Sequence, residues 1–388
     1  MLEPAPAREP GPTAHELLRR RYPRPAEPVP LPPPAGPAPY RVGLESIVGP
    51  GTMAATSRAG RLRFHAIGDT GGHGNPGPQQ AVAAAMATEL AGAHPARLLY
   101  HLGDVVYPHG ESSGYRAQFQ DGYRDYRAPI VGVPGNHDGE CPLDDGGLPL
   151  SAFTAQFCAP GPGLRPVPGP GQREPGRRAA AHQPHVHWTM RHELVTIIGI
   201  YTGERDGGQL DPPQRDWLIG ELRAARADAV LLLAMHHPVY SADVEHGSNL
   251  SLGAILDDCF AASGRAPDAV LSAHAHNYQR FSRSLNGRTV PYLVAGSGGF
   301  PELHRMGCGI PEPPAAFTGL PGLSLDAFQH RAFGFLTVTA DYGRARLDYN
   351  LVVRRRPLAF DSVTVSTLSA ARASRDRSVP RASPRSIR

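Results

Sequence analysis

What most constrains this chain is a pattern repeated three times between residues 62 and 138: a short apolar run that stops at glycine and then aspartate or asparagine. Leu62-Arg63-Phe64-His65-Ala66-Ile67 runs into Gly68-Asp69-Thr70-Gly71. Leu98-Leu99-Tyr100-His101-Leu102 runs into Gly103-Asp104-Val105-Val106-Tyr107, and Pro129-Ile130-Val131-Gly132-Val133 leads to Gly135-Asn136-His137-Asp138. Runs of this length, closed by glycine and polar residues, read as strands. Between the first two, Pro78 opens an alanine-rich helical stretch from Gln79 to Ala93. A strand–helix–strand unit makes its strands parallel neighbours, and open α/β sheets gather functional groups at the carboxyl ends of such strands. Asp69 and Asp104 are therefore expected side by side.

Two later blocks end strands in the same way. Ala229 to Ala234 is apolar and stops at His236-His237-Pro238; Ala269 to Ser272 precedes His274-Ala275-His276. Taken singly, each block has an ordinary reading. An aspartate before glycine is common turn chemistry, Tyr107 could be a packing residue, Gly-Asn-His could be a loop with a surface histidine, and His-x-His is often exposed. Taken together they supply two carboxylates, a phenol, an amide oxygen and several imidazoles, a donor set for two hard or borderline metal ions. Two close carboxylates repel unless a shared cation lies between them. Tyr107 is the most diagnostic residue, because a phenol with a pKa near ~10 gives up its proton only to a strongly acidic ion such as ferric iron. Asn136 offers a neutral carbonyl oxygen. His274 and His276, two apart, project to one face of extended backbone. His137 faces outward, where it could hydrogen-bond a phosphoryl oxygen.

The rest of the chain frames these blocks. Residues 1–58 read as a Pro-rich, mostly disordered arm, with a helical turn or two between Ala14 and Tyr22. Residues 59–356 read as one catalytic domain, interrupted at 139–184 by a long Pro/Gly-rich loop of the kind that covers a site. Val186 to Met190 and Leu194 to Ile200 read as a hairpin, Pro212 to Ala224 and Asn249 to Ala262 as helices. Gln279 to Leu285, Thr289 to Ala295, Phe333 to Ala340 and Ala345 to Val352 read as strands. Residues 357–388 read as a solvated Ser/Arg-rich tail.

Composition excludes several classes. The chain has no lysine, so its 39 basic residues are all arginine, and with the abundant Ala, Gly and Pro this reflects a GC-rich coding bias more than selection for anions. A net charge of +4 over 388 residues, with no basic stripe along a predicted helix, argues against nucleic acid as a designed partner. Cys141, Cys158, Cys259 and Cys308 lack C-x-x-C spacing, which excludes a zinc ribbon or thioredoxin-type motif. Cys141 and Cys158 could close a loop disulfide, but free thiols are the expectation. Arg19-Arg20-Arg21 is followed by no apolar run, and no stretch reaches the ~18–20 apolar residues of a membrane span, so a cytoplasmic location is expected.

The order Asp-x-Gly, Gly-Asp-x-x-Tyr, Gly-Asn-His-Asp, His-x-Pro, His-x-His resembles the calcineurin-like metallophosphoesterases, specifically their purple acid phosphatase branch. The wider superfamily usually has Asp-x-His in the first block, that histidine being a ligand. Here Gly71 replaces it and Tyr107 is present, the exchange that marks the purple acid phosphatase type. The resemblance runs from about Arg61 to Val353, including Gly-Ser-Gly-Gly at Gly296 to Gly299 and Phe333-Gly334-Phe335. It departs at Ala273, where glycine usually precedes His-x-His, and leaves no room upstream for the N-terminal β-sandwich of the large plant-type enzymes.

The resemblance implies a four-layer α/β/β/α sandwich. It implies Asp69, Tyr107 and His276 on a ferric ion, Asp104 bridging, and Asn136, His236 and His274 on a divalent iron, zinc or manganese ion. It gives His137, and more loosely His246, as phosphate-contacting and catalytic histidines, with His237 as a substrate neighbour. The implied reaction is hydrolysis of a small phosphomonoester by in-line attack of a metal-held hydroxide, without a phosphoenzyme. A phosphodiesterase of the same fold, acting on cyclic nucleotides or glycerophosphodiesters, and a non-catalytic phosphate- or metal-binding scaffold are the alternatives.

Overall fold

The computed structural model describes residues 12–19, 31–140, 149–158, 165–166, 179–180, 183–203, 208–317, 320–367 and 369. In chain order the elements begin α1 (Ala14–Leu18), β1 (Arg41–Gly43), α2 (Leu44–Val48), α3 (Pro50–Ala59), β2 (Leu62–Ile67), α4 (Gly77–Thr88), β3 (Leu99–His101) and β4 (Ile130–Gly132). Next come α5 (Asn136–Gly139), α6 (Ser151–Phe157), the two-residue strands β5 (Arg165–Pro166) and β6 (Ala179–Ala180), β7 (Trp188–Arg191), β8 (Val195–Gly199) and α7 (Pro212–Ala224). Then follow β9 (Val230–Ala234), α8 (Leu250–Ser263), β10 (Ala269–Ser272), β11 (Tyr278–Leu285) and β12 (Arg288–Ala295). The last are β13 (Ala315–Ala316), β14 (Leu323–Gln329), β15 (Gly334–Asp341), β16 (Arg344–Val353) and β17 (Arg356–Ser366).

These strands make two mixed sheets. One has the order β17-β16-β15-β2-β3-β4, the other β1-β7-β8-β9-β10-β12-β11-β14-β13. β2, β3 and β4 are parallel neighbours, as are β8, β9 and β10. Side-chain alternation along each strand sorts residues to opposite faces. Leu62, Phe64 and Ala66 of β2 join Val230, Leu232 and Ala234 of β9 in a core shared by the two sheets. Leu231 and Leu233 face the other way, onto Leu218 and Leu222 of α7 and Leu252, Ile255 and Leu256 of α8. On the far side, Ile67 and Leu99 pack with Val82, Ala85 and Met86 of α4 and with Phe153 and Phe157 of α6. Two sheets with helices on both outer faces are the expected four-layer α/β/β/α arrangement, with the carboxyl ends of β2, β3, β4, β9 and β10 brought to one edge. No helix among the described residues is long and apolar enough to cross a membrane.

Three stretches differ from the sequence reading. The supposed arm contributes β1, paired in parallel with β7, and α2, whose Leu44 and Ile47 enter the inter-sheet core. Their signal is two apolar residues three apart, too short to register as periodicity. The Pro/Gly-rich excursion contains α6, seated by Phe153 and Phe157 one turn apart. The supposed tail begins with β17, an eleven-residue edge strand paired along β16. Leu358 and Phe360 stay exposed, and of its apolar side chains only Val363 and Val365 reach the inter-sheet core, so β17 shows little of the buried face that marks a strand in sequence. Polar contacts anchor it as well. Asp361 accepts from Arg280 Nε at 2.6 Å, Arg280 Nη2 at 3.0 Å and Tyr278 Oη at 2.6 Å, tying β17 of one sheet to β11 of the other. Cys158 is buried and free, and burial pushes its thiol up to about 12; Cys141, its suggested partner, lies outside the described residues.

Removing the carboxylate would leave Arg280 partly buried with Asp326 alone as its partner. Asp361→Ala is therefore expected to lower stability by about 2–4 kcal/mol in chemical denaturation, against the ~0.5 kcal/mol or less of a surface tail position.

Candidate metal centre

Three of the strand ends bend sharply to deliver a side chain. Asp69, Asp104 and His274 all have left-handed backbone, with φ of 55°, 56° and 67°, a conformation that costs about 1–3 kcal/mol for residues with a Cβ. Main-chain hydrogen bonds hold the bends in place: Asp69 N donates to Gly103 O at 3.0 Å, and Thr70 N to Asp104 O at 3.1 Å. Asp138 accepts from Val105 N at 3.1 Å and Gly135 N at 2.9 Å, stapling the Asp104 loop to the Asn136 loop. Ala273, the departure from the family pattern, is accommodated by its neighbour. A Cβ at Gly68 would lie 2.4 Å from the Ala273 methyl, so the missing side chain at one position makes room for the other.

The two carboxylates are divided in the same way. Asp69 Oδ2 accepts from His274 N at 2.7 Å, and Asp104 Oδ1 from His137 N at 3.0 Å. Their other oxygens turn inward. Asp69 Oδ1 stands 3.2 Å from Tyr107 Oη and 3.6 Å from His276 Nε2, and Tyr107 Oη is 3.3 Å from His276 Nε2. Asp104 Oδ2 lies 3.1 Å from Tyr107 Oη and also 3.3 Å from His236 Nε2. His236 Nε2 is 3.0 Å from Asn136 Oδ1 and 3.2 Å from His274 Nδ1. Seven donors thus form two groups that share Asp104 Oδ2. Atoms bound to one ion at ~2.0–2.2 Å stand roughly 3 Å apart, so both groups are compact enough to hold a cation. Among the described residues, the donor atoms of Asp104, His236 and His274 all lie within 4.8 Å of one another.

Outer contacts aim the rings. His236 Nδ1 lies 2.9 Å from Leu102 O, and His276 Nδ1 3.0 Å from Glu302 O, so each Nδ1–H donates outward and each Nε2 turns its lone pair inward. Tyr107 fills the space in front of Gly71: a Cβ there would come within 2.7 Å of Tyr107 Cδ2 and 2.5 Å of Gln118 Oε1. The glycine and the tyrosine are sterically coupled.

Charge balance points the same way. Burial drives Asp69 well above the usual carboxylate range, aided by the neighbouring Asp104 charge. Burial also opposes the Asp104 charge, but His236 and His137 outweigh it and hold that carboxyl low. His236 is likewise disfavoured by burial as a cation, yet the Asp104 carboxylate pushes it up to about 9. Burial and both carboxylates raise the Tyr107 phenol far above its ordinary value. Burial and like charge thus disfavour the ionised forms of Asp69 and Tyr107, and the Asp104 carboxylate favours a proton on His236. His274 and His276 are held neutral, by burial and by neighbouring imidazoles. Bound cations would replace those protons, so the residues present fit a pair of metal ions.

The centre opens into a cleft of about 240 Å³, whose outer wall is His73, Pro108, His137, His246, Phe300 and His304. His137 and His246 line this wall together with the ligands Asp104, Tyr107, His274 and His276. His237 does not line the cleft. Successive residues of an extended segment point oppositely, and its ring is buried behind His274, with Nδ1 2.8 Å from Thr202 Oγ1. His73, Phe300 and His304 were not legible as site residues, because each sits in a loop outside the five blocks.

The family model described as calcineurin-like phosphoesterase matches residues 62–278, more than half of the chain. The chain belongs to the calcineurin-like phosphoesterase family. Tartrate-resistant acid phosphatase type 5 of Rattus norvegicus is 27% identical over 281 residues, covering 67% of this chain and 79% of the rat protein. The same enzyme of Mus musculus matches to the same extent. Among solved structures, the purple acid phosphatase PPD1 from yellow lupin (Lupinus luteus) superposes with a TM-score of 0.58 at 18% identity over 84% of this chain. This phosphoesterase chain spans 57% of the lupin chain. GAP50, the anchor in the inner membrane complex of Plasmodium, shares the fold with a TM-score of 0.53 at 14% identity, over 79% of this chain and 89% of that one.

Two outcomes follow from the crowded, proton-holding centre. Gly71→Ala should overpack Tyr107 and Gln118, lowering the melting temperature by the equivalent of about 1–3 kcal/mol and weakening metal retention. Gly220→Ala, with no atom within 4 Å, should do neither. Because coordination expels protons, affinity for a divalent ion should rise with pH between about 6 and 8; calorimetry in buffers of different ionisation enthalpy would register the released protons, and pH-independent affinity would contradict the charge assignment.

Proposed function

We propose that the protein is a dinuclear metal-dependent phosphomonoesterase of the purple acid phosphatase type. The observation that carries this reading is the position of Tyr107 Oη, within 3.1–3.3 Å of Asp69, Asp104 and His276 and set in space that Gly71 leaves open. A phenol raised by burial between two carboxylates yields its proton only to a strongly acidic ion, which favours ferric iron on Asp69, Tyr107 and His276. Asp104 would bridge, and Asn136, His236 and His274 would hold a divalent iron, zinc or manganese ion. When bound, such a pair activates water near neutral pH and neutralises charge on the phosphoryl oxygens.

The chain's own residues supply the rest. His137 is partly exposed, its side chain 32% accessible, and faces the cleft from above Tyr107. Its Nδ1 contacts the Pro108 carbonyl, so Nδ1–H donates there and Nε2 is the atom free to meet the ester. A proton on Nε2 would stabilise a phosphoryl oxygen or pass to the leaving alkoxide. His246 sits across the cleft against His274, their rings 3.8 Å apart. Burial holds its pKa down to about 4, so it offers one ring proton as a neutral hydrogen-bond donor. Phe300 packs 4.1 Å from the Tyr107 ring, centroid to centroid, and shields the phenol from water. The 27% identity to acid phosphatases supports the monoester as substrate.

Protein purified without chelators should contain about two metal ions per chain, one of them iron. It should show a visible tyrosinate–iron band that Tyr107→Phe abolishes, and hydrolyse aryl phosphate monoesters faster than diesters. A colourless, active protein holding only zinc or manganese would remove the ferric assignment. Absence of hydrolysis after metal loading would remove the phosphatase reading itself.

A further inference from the structure

Three ligand rings of the centre each carry a histidine ring packed against them. His137 lies over Tyr107 with ring centroids 4.6 Å apart, His246 over His274 at 3.8 Å, and His304 over His276 at 4.0 Å with planes inclined by 23°. His304 and His246 are themselves neighbours, 5.1 Å apart. Three imidazoles thus cap ligand rings at the cleft, two of which the family resemblance accounts for. The third comes from the loop after β12. No arginine is among the described residues lining the cleft, although every one of the chain's 39 basic residues is arginine. Recognition of an anion here falls to imidazole N–H groups.

His304 is held so that one ring nitrogen is committed and the other is not. Nδ1 lies 3.1 Å from Asp243 Oδ2 and 3.2 Å from the main-chain N of His276. Its main-chain N donates to His276 O at 3.0 Å. If Nδ1 accepts from the His276 N–H, the ring proton is on Nε2. If instead Nδ1–H donates to Asp243 Oδ2, Nε2 presents its lone pair to the cleft and meets a protonated phosphate oxygen. Asp243 is wholly buried and also accepts from Glu245 N and His246 N at 3.3 Å, Gly247 N at 2.9 Å and Ser241 Oγ at 2.9 Å. One carboxylate therefore fixes both the His304 ring and the loop that carries His246.

We propose that His304 is a third substrate-binding imidazole, its Nε2 hydrogen-bonding the phosphate group in the cleft, and that Asp243 is the positioning residue that sets His304 and His246 at their mutual spacing. The identity of the anion rests on the phosphatase reading above; the contact itself does not require turnover.

Inorganic phosphate, the product of such a reaction, is the probe, titrated calorimetrically into the metal-loaded full chain. His304→Phe keeps a ring against His276 and removes the hydrogen-bonding nitrogen; His304→Gln keeps a hydrogen-bonding amide near Nε2 and removes the ring. His304→Phe should weaken phosphate about tenfold or more, the worth of a hydrogen bond to a charged group. It should raise KM for an aryl monoester in parallel, with kcat within about threefold, the signature of binding lost equally in ground and transition states. His304→Gln should recover most of the affinity, and both should keep the wild-type metal content. Asp243→Asn should raise KM as well, and its effect combined with His304→Phe should fall short of the product of the two, because they share a contact.

Wild-type phosphate affinity in His304→Phe overturns the proposal, as does loss of metal from His304→Gln with normal behaviour in His304→Phe, which would make the ring a prop for His276. Wild-type protein that binds no phosphate overturns it too. Protein that binds phosphate but hydrolyses no ester defeats the phosphatase reading while the affinities still decide the role of His304.

Discussion

Two carboxylates buried side by side are the constraint on which the rest of this structure depends. Asp69 and Asp104 are almost completely removed from water, and each has one oxygen tied to a main-chain N–H from a neighbouring strand end. The remaining oxygens cannot both be charged at such proximity without a compensating cation. Left-handed backbone at three of the delivering residues and loops packed too closely for side chains at Gly68 and Gly71 are costs that a purely structural edge of a sheet would not retain. They make sense as parts of a preformed cavity for positive charge. The stability they consume is recovered in the inter-sheet core, where both sheets contribute fully buried alternating residues.

The coupling of Gly71 to Tyr107 gives a steric basis to what is otherwise a family pattern. A side chain on position 71 and a phenol from position 107 compete for one volume, so the first-block residue and the second-block tyrosine exchange as a pair. The same logic resolves Ala273. Its methyl group meets the bare backbone of Gly68, and the His274-Ala275-His276 turn keeps its place. Small changes around this centre are tolerated only where an opposing residue gives up matching space.

Much of this was legible in the sequence because ligand-bearing strands are short, fully buried and punctuated by glycine. β2, β9, β10 and α7 fall within a residue of the ranges read from periodicity, and the donors of all five blocks converge. What escaped detection lacked a period. β17 turns only Val363 and Val365 into the core and is otherwise held by Arg280 and Tyr278 through Asp361, so it reads as tail. His304 enters the cleft on an irregular loop whose path is set by main-chain bonds to His276, a residue on a different strand connection. His237 was misplaced for the opposite reason: its neighbour His236 is a donor, but adjacent side chains of extended backbone diverge. Blocks identify which segment reaches a site; only packing decides which side chain of the segment enters it.

The order of strands in the six-stranded sheet has a consequence for how the protein is made. β2, which carries Asp69, is a central strand flanked by β3 on one side and by β15 on the other. β3 follows within forty residues, but β15 pairs Leu336 to Ala340 with Leu62 to Ala66, from the far end of the chain. On the ribosome, β2 and β3 can form early while the other edge of β2 stays open until more than two hundred further residues have emerged, by which time His236, His274 and His276 are available as well. An apolar open edge of this kind invites pairing with the wrong strand. Closing it is a late, long-range event. Ions taken up before His276 has emerged would meet only an incomplete set of ligands, so loading with metal belongs to a late stage of the chain's growth.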